Sequence, residues 1–197
     1  MRTFLLVAVA AALAGLGLAL WHSADPAYTV QEWVNRDRFS KYDTLIRDVG
    51  RKYRVDPMLI KAIVWRESKF HAEMVGTSGE RGLMQVGEPA ARDWARINKI
   101  ETFVPTDLFD PKVNLEVGVW YVAKAAEHWK DKDDPVPFTL AEYNAGKKRV
   151  DRWIKESGKP DDATAADLMQ WVDFPGTKKY VEDIVERRKT YQRRGRL

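Results

Sequence analysis

The amino-acid sequence predicts a mainly α-helical protein, in which a single helical domain follows an N-terminal apolar export or anchor segment. Three observations support this fold class. Apolar residues recur at helical spacing along most of the chain, and no alternating pattern long enough for a strand appears. Two Asp-Pro pairs, at Asp56 and at Asp110, are typical of helix starts. Asp accepts hydrogen bonds from the free amide groups of a first turn, and Pro has no amide group to leave unpaired there.

The N-terminal segment has an early positive charge at Arg2 and then an uncharged apolar run from Phe4 to Leu20. Such a run indicates export. Its seventeen residues are long for the core of a cleaved signal and short for a membrane span. The sequence leaves two fates open for residues 1–24, a cleaved signal peptide or an uncleaved membrane anchor. Either fate predicts an exported, periplasmic domain, and the second also attaches it to the inner membrane.

The helices before the glycine-rich stretch follow one another along the chain. Residues 25–39 are predicted to form a linker and a leading helix, and residues 30–54 contain one amphipathic helix or two. A further helix begins near Pro57. One stripe of its 3.6-residue period consists of Ile60, Ile63, Glu67 and Phe70. Glu67 therefore places a carboxylate where an amphipathic helix would normally have an apolar side chain.

The remaining elements are also predicted as helices and loops. The stretch GTSGERGLMQVGEP, from Gly76, predicts a loop, and Pro89 can open the next helix. The start at Asp110 predicts a long helix, FTLAEYNAG a short one ended by Gly146, and TKKYVEDIVERRKTY a closing one. At 197 residues with 45% hydrophobic content, the chain can bury one core. We therefore predict one domain over residues 40–190, a basic tail over residues 191–197, and a monomer.

Charge and composition exclude several classes of function. The net charge of +4 is concentrated among residues 187–197, which contain six basic residues and no acid. A short basic end of this kind is either solvated or a contact to anionic wall polymers, and in an exported protein nucleic acid is a poor partner. The chain has no cysteine, and its three His are widely separated. We expect no disulfide, metal or organic cofactor.

Glu67 is the first candidate for chemistry. Burial disfavours the charged form of a carboxyl, and the negative pole at the end of a helix acts in the same direction, so we expect a raised pKa. A carboxyl that stays protonated near neutral pH can serve as a general acid. The alternative is a structural salt bridge with Arg66, Lys69 or a distant base.

Glycoside cleavage usually needs a second carboxylate, which acts as a nucleophile or activates water. Glu73, Glu80 and Glu142 are available, but each neighbours positions typical of loops or solvent and is predicted to be a surface acid. If Glu67 acts alone, the nucleophile must come from the substrate.

Five motifs, in this order and spacing, resemble one family. They are ESKF from Glu67, GERGLMQV from Gly79, LFDPKVNLEVGVWYV from Leu108, AEYNAG from Ala141 and TKKYV from Thr177. Together they are similar to the lytic transglycosylases with a soluble lytic transglycosylase (SLT) domain, glycoside hydrolase family 23. The resemblance covers roughly residues 40–190 and implies a lysozyme-like helical fold.

The resemblance also implies a substrate and a mechanism. The expected substrate is the glycan strand of peptidoglycan, cut at the β-1,4 bond between N-acetylmuramic acid and N-acetylglucosamine. Glu67 matches the catalytic acid, which protonates the departing oxygen and then takes the proton from the C6 hydroxyl that attacks C1. The product is a 1,6-anhydromuramoyl end, so no second carboxylate is required.

The same resemblance implies the substrate-binding residues Ser68, Met84, Gln85, Tyr143, Asn144 and Tyr180, of which Tyr180 is expected to bring its hydroxyl near Glu67. Without the family, Met84 and Tyr143 would be interpreted as core residues. The chain departs from the family's pattern at Gly176, where relatives often have Glu, and at Lys147, where they often have Pro. Both departures concern the rim of the cleft.

Two other functions remain open at this point. A goose-type, lysozyme-like hydrolase on the same fold would need an additional carboxylate poised for water. A non-catalytic domain could instead bind glycan within a wall-spanning secretion or conjugation assembly, although binding alone does not need a protonatable acid.

Overall fold

The structure, a computed structural model, describes residues 14, 15, 17, 26–195 and 197. The predicted signal or anchor over residues 1–24 lies almost entirely outside the described residues. In the part of the chain that is described, no helix has the length and apolar character that crossing a membrane requires.

The chain divides into two compact units, Met1–Lys41 and Tyr42–Leu197. In the first unit, helices α1 (Pro26–Val34) and α2 (Arg36–Ser40) follow each other closely. The rings of Tyr28 and Phe39 meet edge to face at 5.6 Å between centroids and join the two helices.

The second unit is helical throughout its regular elements. They are α3 (Asp43–Tyr53), α4 (Pro57–Ser68), α5 (Glu88–Ile97), a 3₁₀ turn (Pro105–Phe109), α6 (Pro111–His128), α7 (Pro135–Ala145), α8 (Lys147–Glu156), α9 (Ala165–Trp171) and α10 (Pro175–Arg194). Within the described ranges, extended pairing is limited to isolated bridges from Arg81 to Val75 and to Val86. The predicted mainly α fold class is confirmed.

Both predicted Asp-Pro starts are confirmed as N-caps. The Asp56 carboxylate accepts from the Met58 amide at 2.9 Å, and Asp110 accepts from the amides of Lys112 and Val113. These bonds pair amide groups that have no partner within the helix itself. The two caps fix where α4 and α6 begin.

The core of the second unit lies where α4, α6, α7 and α10 meet. Helix α10 packs on α4 and on α7, and α6 packs between α3 and α7. The inner face of α6 is buried and includes Leu115, Gly118, Val122 and Ala125, and Trp129, which follows the helix, is buried beside them. This packing brings the C-terminal ends of α4 and α7 close to the start of α10.

Two predicted boundaries differ from the structure. Helix α4 ends at Ser68, because Lys69 (φ 51°) and Phe70 (φ 65°) both adopt left-handed backbone. Phe70 is buried but does not continue the helical stripe. Helix α10 extends to Arg194, and Tyr191 is only 1% exposed, so residues 191–194 belong to the packed last helix rather than to a tail.

Candidate active site

Glu67 lies at the penultimate position of α4, half-buried, with its carboxylate directed at α10. The Tyr180 hydroxyl donates to Glu67 Oε1 at 2.7 Å, the contact that the resemblance implied. Burial raises the pKa of Glu67 to about 7, and the charge of Glu80 acts in the same direction. The Tyr180 hydrogen bond and the Arg66 charge lower this pKa but do not cancel the effect of burial. Glu67 can therefore both hold and release a proton near neutral pH.

The basic neighbours of Glu67 are engaged elsewhere. Arg66 forms an ion pair with Asp183 of α10 at 3.2 Å. The Lys69 ammonium group lies 3.4 Å from the centroid of the Trp65 ring. The structural salt bridge that the sequence left open is therefore not the arrangement found.

Two tyrosines face the carboxylate from different helices. Tyr143 of α7 donates from its hydroxyl to the Met84 carbonyl at 2.9 Å, and its ring meets Tyr121 edge to face at 5.9 Å. Burial, followed by the charge of Glu67, raises the pKa of both Tyr143 and Tyr180 well above the ordinary value. Both hydroxyls consequently remain protonated donors around Glu67.

The loop between α4 and α5 closes one side of the site. Gly82 has φ +79°, and a Cβ there would collide with the Asn114 side chain and the Leu108 carbonyl, so this position requires glycine. Gln85 has left-handed backbone (φ 46°). Its Nε2 donates to the carbonyls of Met74 and Gly82, each at 3.1 Å. These bonds fix the amide plane of Gln85 at the surface of the loop.

Asn114 of α6 binds the backbone of this loop, and it was not among the site residues predicted from the sequence. Its side chain is fully buried on α6, where Oδ1 accepts from the Met84 amide at 2.8 Å. Its Nδ2 donates to the carbonyls of Arg81 at 2.7 Å and Leu108 at 2.8 Å. One side chain thus pairs three backbone groups from two loops. The sequence did contain a signal for this role. Asn114 is an amide residue one turn into the helix, next to the apolar positions of its inner face.

These elements enclose a cleft of about 540 Å³. It is lined by Glu67, Gly76, Thr77, Glu80, Gln85, Val86, Gly87, Pro89, Ala90, Asp93, Gly118, Tyr121, Tyr143 and Asn144. Four predicted site residues are among them: Glu67, Gln85, Tyr143 and Asn144. Asn144 Oδ1 also accepts from the Thr177 hydroxyl at 2.7 Å, which ties the end of α7 to the start of α10.

Three predicted substrate-binding residues, Ser68, Met84 and Tyr180, are not among those that line the cleft. Tyr180 is 2% exposed and contacts Glu67 instead. Ser68 is 1% exposed, and its hydroxyl donates to the Leu83 carbonyl at 2.8 Å. The Met84 side chain is fully buried against Gly118, where a Cβ would lie 2.5 Å from Met84 Sδ. The side chains of Ser68 and Met84 therefore support the loop from inside.

The acidic residues near the site also differ from the prediction. Glu142 is not a surface acid, since it is 5% exposed, accepts from Trp129 Nε1 at 2.7 Å and lies 2.8 Å from His128 Nδ1. Glu80 lines the cleft, and its Oε2 accepts from the Ser78 amide at 3.1 Å. Its position five residues before Gln85 in the same loop could have indicated this.

Metal ligands are not grouped in this region. Among the residues whose placement is described, no three His, Asp or Glu side chains are clustered as a metal site would require.

The hydrogen bond from Tyr180 gives a first prediction. Because this bond lowers the pKa of Glu67, Tyr180→Phe should raise that pKa further above 7. The measurement is a ¹³C NMR titration of glutamate carboxyl groups, with the Glu67 signal assigned from its absence in Glu67→Gln. Tyr121→Phe is the matched control, because Tyr121 lines the cleft but does not affect the pKa of Glu67. An unchanged pKa in Tyr180→Phe would show that the bond is absent in solution.

Comparison with known proteins gives consistent matches. A family model described as the transglycosylase SLT domain matches residues 44–166. The X polypeptide of Escherichia coli is 33% identical over 107 residues, which cover 52% of this chain and 59% of that protein. Membrane-bound lytic murein transglycosylase C of Shigella sonnei (strain Ss046) is 31% identical over 172 residues, covering 80% of this chain and 48% of that protein.

A solved structure gives the same result for the fold. An inactive mutant of the lytic transglycosylase Slt from Pseudomonas aeruginosa superimposes with a TM-score of 0.71 at 22% sequence identity, over 86% of this chain and 27% of that chain. The chain spans less than two thirds of the length of the curated relatives that it matches.

Proposed function

The chain belongs to the transglycosylase SLT domain family, and on this basis we propose that it is an exported peptidoglycan lytic transglycosylase. It cleaves the β-1,4 bond between N-acetylmuramic acid and N-acetylglucosamine and leaves a 1,6-anhydromuramoyl end. The observation that carries the proposal is Glu67, a half-buried carboxyl whose pKa is raised to about 7 beside an open cleft. Three relatives are named membrane-bound lytic murein transglycosylases, which supports a wall substrate and an exported domain.

Glu67 acts first as an acid. With a pKa near 7, a large fraction of the carboxyl is protonated at neutral pH and can give its proton to the departing N-acetylglucosamine oxygen. The bond between C1 and that oxygen breaks, and the 2-acetamido oxygen of the muramoyl sugar stabilises C1. Tyr180, already bonded to Glu67 Oε1, stabilises the carboxylate that remains.

The same carboxylate then acts as a base. It takes the proton of the muramoyl C6 hydroxyl while that oxygen bonds to C1, which restores the protonated acid and closes the anhydro ring. Gln85, Tyr143 and Asn144 line the same cleft as Glu67 and orient the N-acetyl sugars through amide and aromatic contacts. The reaction needs no metal or organic cofactor, and a monomer suffices.

One observation favours a second candidate, a lysozyme-like hydrolase. Glu80 lines the same cleft as Glu67 and raises the pKa of Glu67 through its charge. A carboxylate in this position could take a proton from water, whose oxygen would then attack C1 in place of the C6 hydroxyl. The product would be a reducing end.

The nature of the new chain ends decides between the two candidates. We expect the purified protein to release mainly anhydro muropeptides from wall sacculi, detected by mass spectrometry as species lighter by one water than the reducing ones. Glu80→Gln should leave this product ratio unchanged, as should Asp93→Asn, which removes another carboxylate from the same cleft. Reducing ends that disappear in Glu80→Gln but persist in Asp93→Asn would instead identify a hydrolase.

A further inference from the structure

Helix α1 (Pro26–Val34) presents an apolar face that no described residue covers. Val30, Trp33 and Val34 are 42%, 51% and 77% exposed. Their spacing of i, i+3 and i+4 puts them side by side on one stripe of the helix. Single exposed apolar residues are ordinary on protein surfaces, but three adjacent ones that include a tryptophan form a contact surface.

The stripe points away from the packed side of α1. Tyr28, whose ring meets Phe39 of α2, is almost fully buried. At about 100° per residue, Tyr28 lies roughly 120° or more around the helix from each residue of the stripe. The stripe therefore lies on a different side of α1 from the residue that contacts α2.

The sequence before α1 indicates what covers the stripe. Five residues separate the uncharged apolar run, from Phe4 to Leu20, from Pro26 at the start of α1. Even a fully extended chain covers only about 3.5 Å per residue, so α1 begins within roughly 20 Å of the end of this run. A bilayer that takes up the run is then within reach of the stripe.

The residue types fit a bilayer surface better than a protein interior. Tryptophan prefers the boundary between headgroups and acyl chains, and short amphipathic helices insert their apolar stripe to that depth. Residues 26–41 contain three basic and two acidic side chains, a small positive excess that favours anionic lipid.

We propose that the α1 stripe of Val30, Trp33 and Val34 lies in the interface of an anionic lipid bilayer. This contact would hold α1 along the membrane surface at the point where the chain leaves the bilayer. It does not depend on the proposed glycan cleavage, because no residue of α1 lines the cleft. Variants of the stripe should therefore cleave soluble glycan at the wild-type rate in detergent.

The absence of cysteine from the chain allows a direct test. The full-length protein, with Val30→Cys labelled by an environment-sensitive fluorophore, is reconstituted into vesicles of phosphatidylethanolamine and phosphatidylglycerol. Gln31→Cys is the matched control, because this exposed neighbour points about 100° away around the same helix. We expect spin-labelled lipid to quench the label at position 30 at least roughly threefold more than the label at position 31, and iodide to show the reverse order.

Two results would overturn the proposal. Equal quenching by iodide at both positions would mean that the stripe faces water. Protection of position 30 from both iodide and spin-labelled lipid would mean that protein covers it, either a second copy or another part of the chain. Trp33→Glu in the Val30→Cys background should abolish the lipid quenching, and a result unchanged by this charge would also contradict a bilayer contact.

Discussion

Glu67→Gln is expected to lower the turnover of peptidoglycan by about three orders of magnitude while the protein stays folded. Glutamine has nearly the same shape and can accept the hydrogen bond that Tyr180 donates to Oε1. It cannot give a proton to the leaving oxygen or take one from the C6 hydroxyl, and positioned acid-base catalysis typically contributes a factor of about 10² to 10⁴. Since one side chain serves both steps in the proposed mechanism, both steps fail together. Release of muropeptides from sacculi, normalised to folded protein, measures the effect.

The same variant should be more stable than the wild type at alkaline pH, which separates lost chemistry from lost structure. The pKa of Glu67 rises from 4.5 to about 7 in the fold, so the native protein binds more protons than the unfolded chain between these values. Stability from this group is therefore fully present below about pH 4.5 and is lost as the pH rises through 7. Glutamine never ionises. At pH 8 the free energy of unfolding of Glu67→Gln should therefore exceed that of the wild type by up to about 3 kcal/mol. Thermal unfolding should show this difference as a higher Tm.

The control is Glu73→Gln, which neutralises an exposed carboxylate six residues further along the chain and outside the cleft. It should cleave sacculi like the wild type and show no stabilisation at pH 8. If Glu67→Gln retained full turnover, the assignment of Glu67 as the acid would be wrong. If neither the wild type nor any variant released muropeptides, the non-catalytic glycan-binding function would replace the enzymatic one.

The periodicity of the sequence predicted which face of α4 is inner, but not what meets it. The pattern identified Glu67 as a carboxylate on an apolar face, since burial of a face is encoded locally at a spacing of 3.6 residues. Its partner Tyr180 is 113 positions away in the chain. No local pattern encodes such a pairing, and only the family resemblance suggested it. The end of α4 was missed because non-glycine residues, Lys69 and Phe70, adopt the left-handed backbone there.

Polar residues account for the other differences. The family resemblance implied that Ser68 binds the substrate, and in the structure its hydroxyl donates to the Leu83 carbonyl inside the loop. Glu142 was predicted to be a surface acid, yet Trp129 donates to it in the core. A buried polar group depends on a distant partner for its stability, so sequence position alone cannot separate it from an exposed one. The loop that contains Glu80 and Gln85 also depends on a distant partner, because Asn114 on another helix binds its backbone.

Asn114→Ala should therefore destabilise the protein and loosen the cleft together. The substitution leaves the Met84 amide and the Arg81 and Leu108 carbonyls without their buried partner. Each unpaired buried group lowers the free energy of unfolding by about 1 to 3 kcal/mol. Because the two loops can partly relax, we expect a total loss of about 3 to 5 kcal/mol. For a domain of this size, that loss corresponds to a fall in Tm of roughly 6 to 20 °C, measured by thermal unfolding.

Asn98→Ala is the matched control for this prediction. Asn98 also donates from Nδ2 to a backbone carbonyl, that of Trp94 at 2.8 Å, but it is an exposed residue at the end of α5. Water can replace a bond in that setting, so the change in stability should stay within about 0.5 kcal/mol. Equal Tm values for the two variants would mean that the Asn114 bonds do not hold the loop.

The loop that Asn114 holds also carries Gln85, which lines the cleft next to Met84 in the chain. We therefore expect the turnover of peptidoglycan by Asn114→Ala to fall at temperatures where the variant is still folded. The lysozyme-like site would then depend on a buried amide that never touches the glycan.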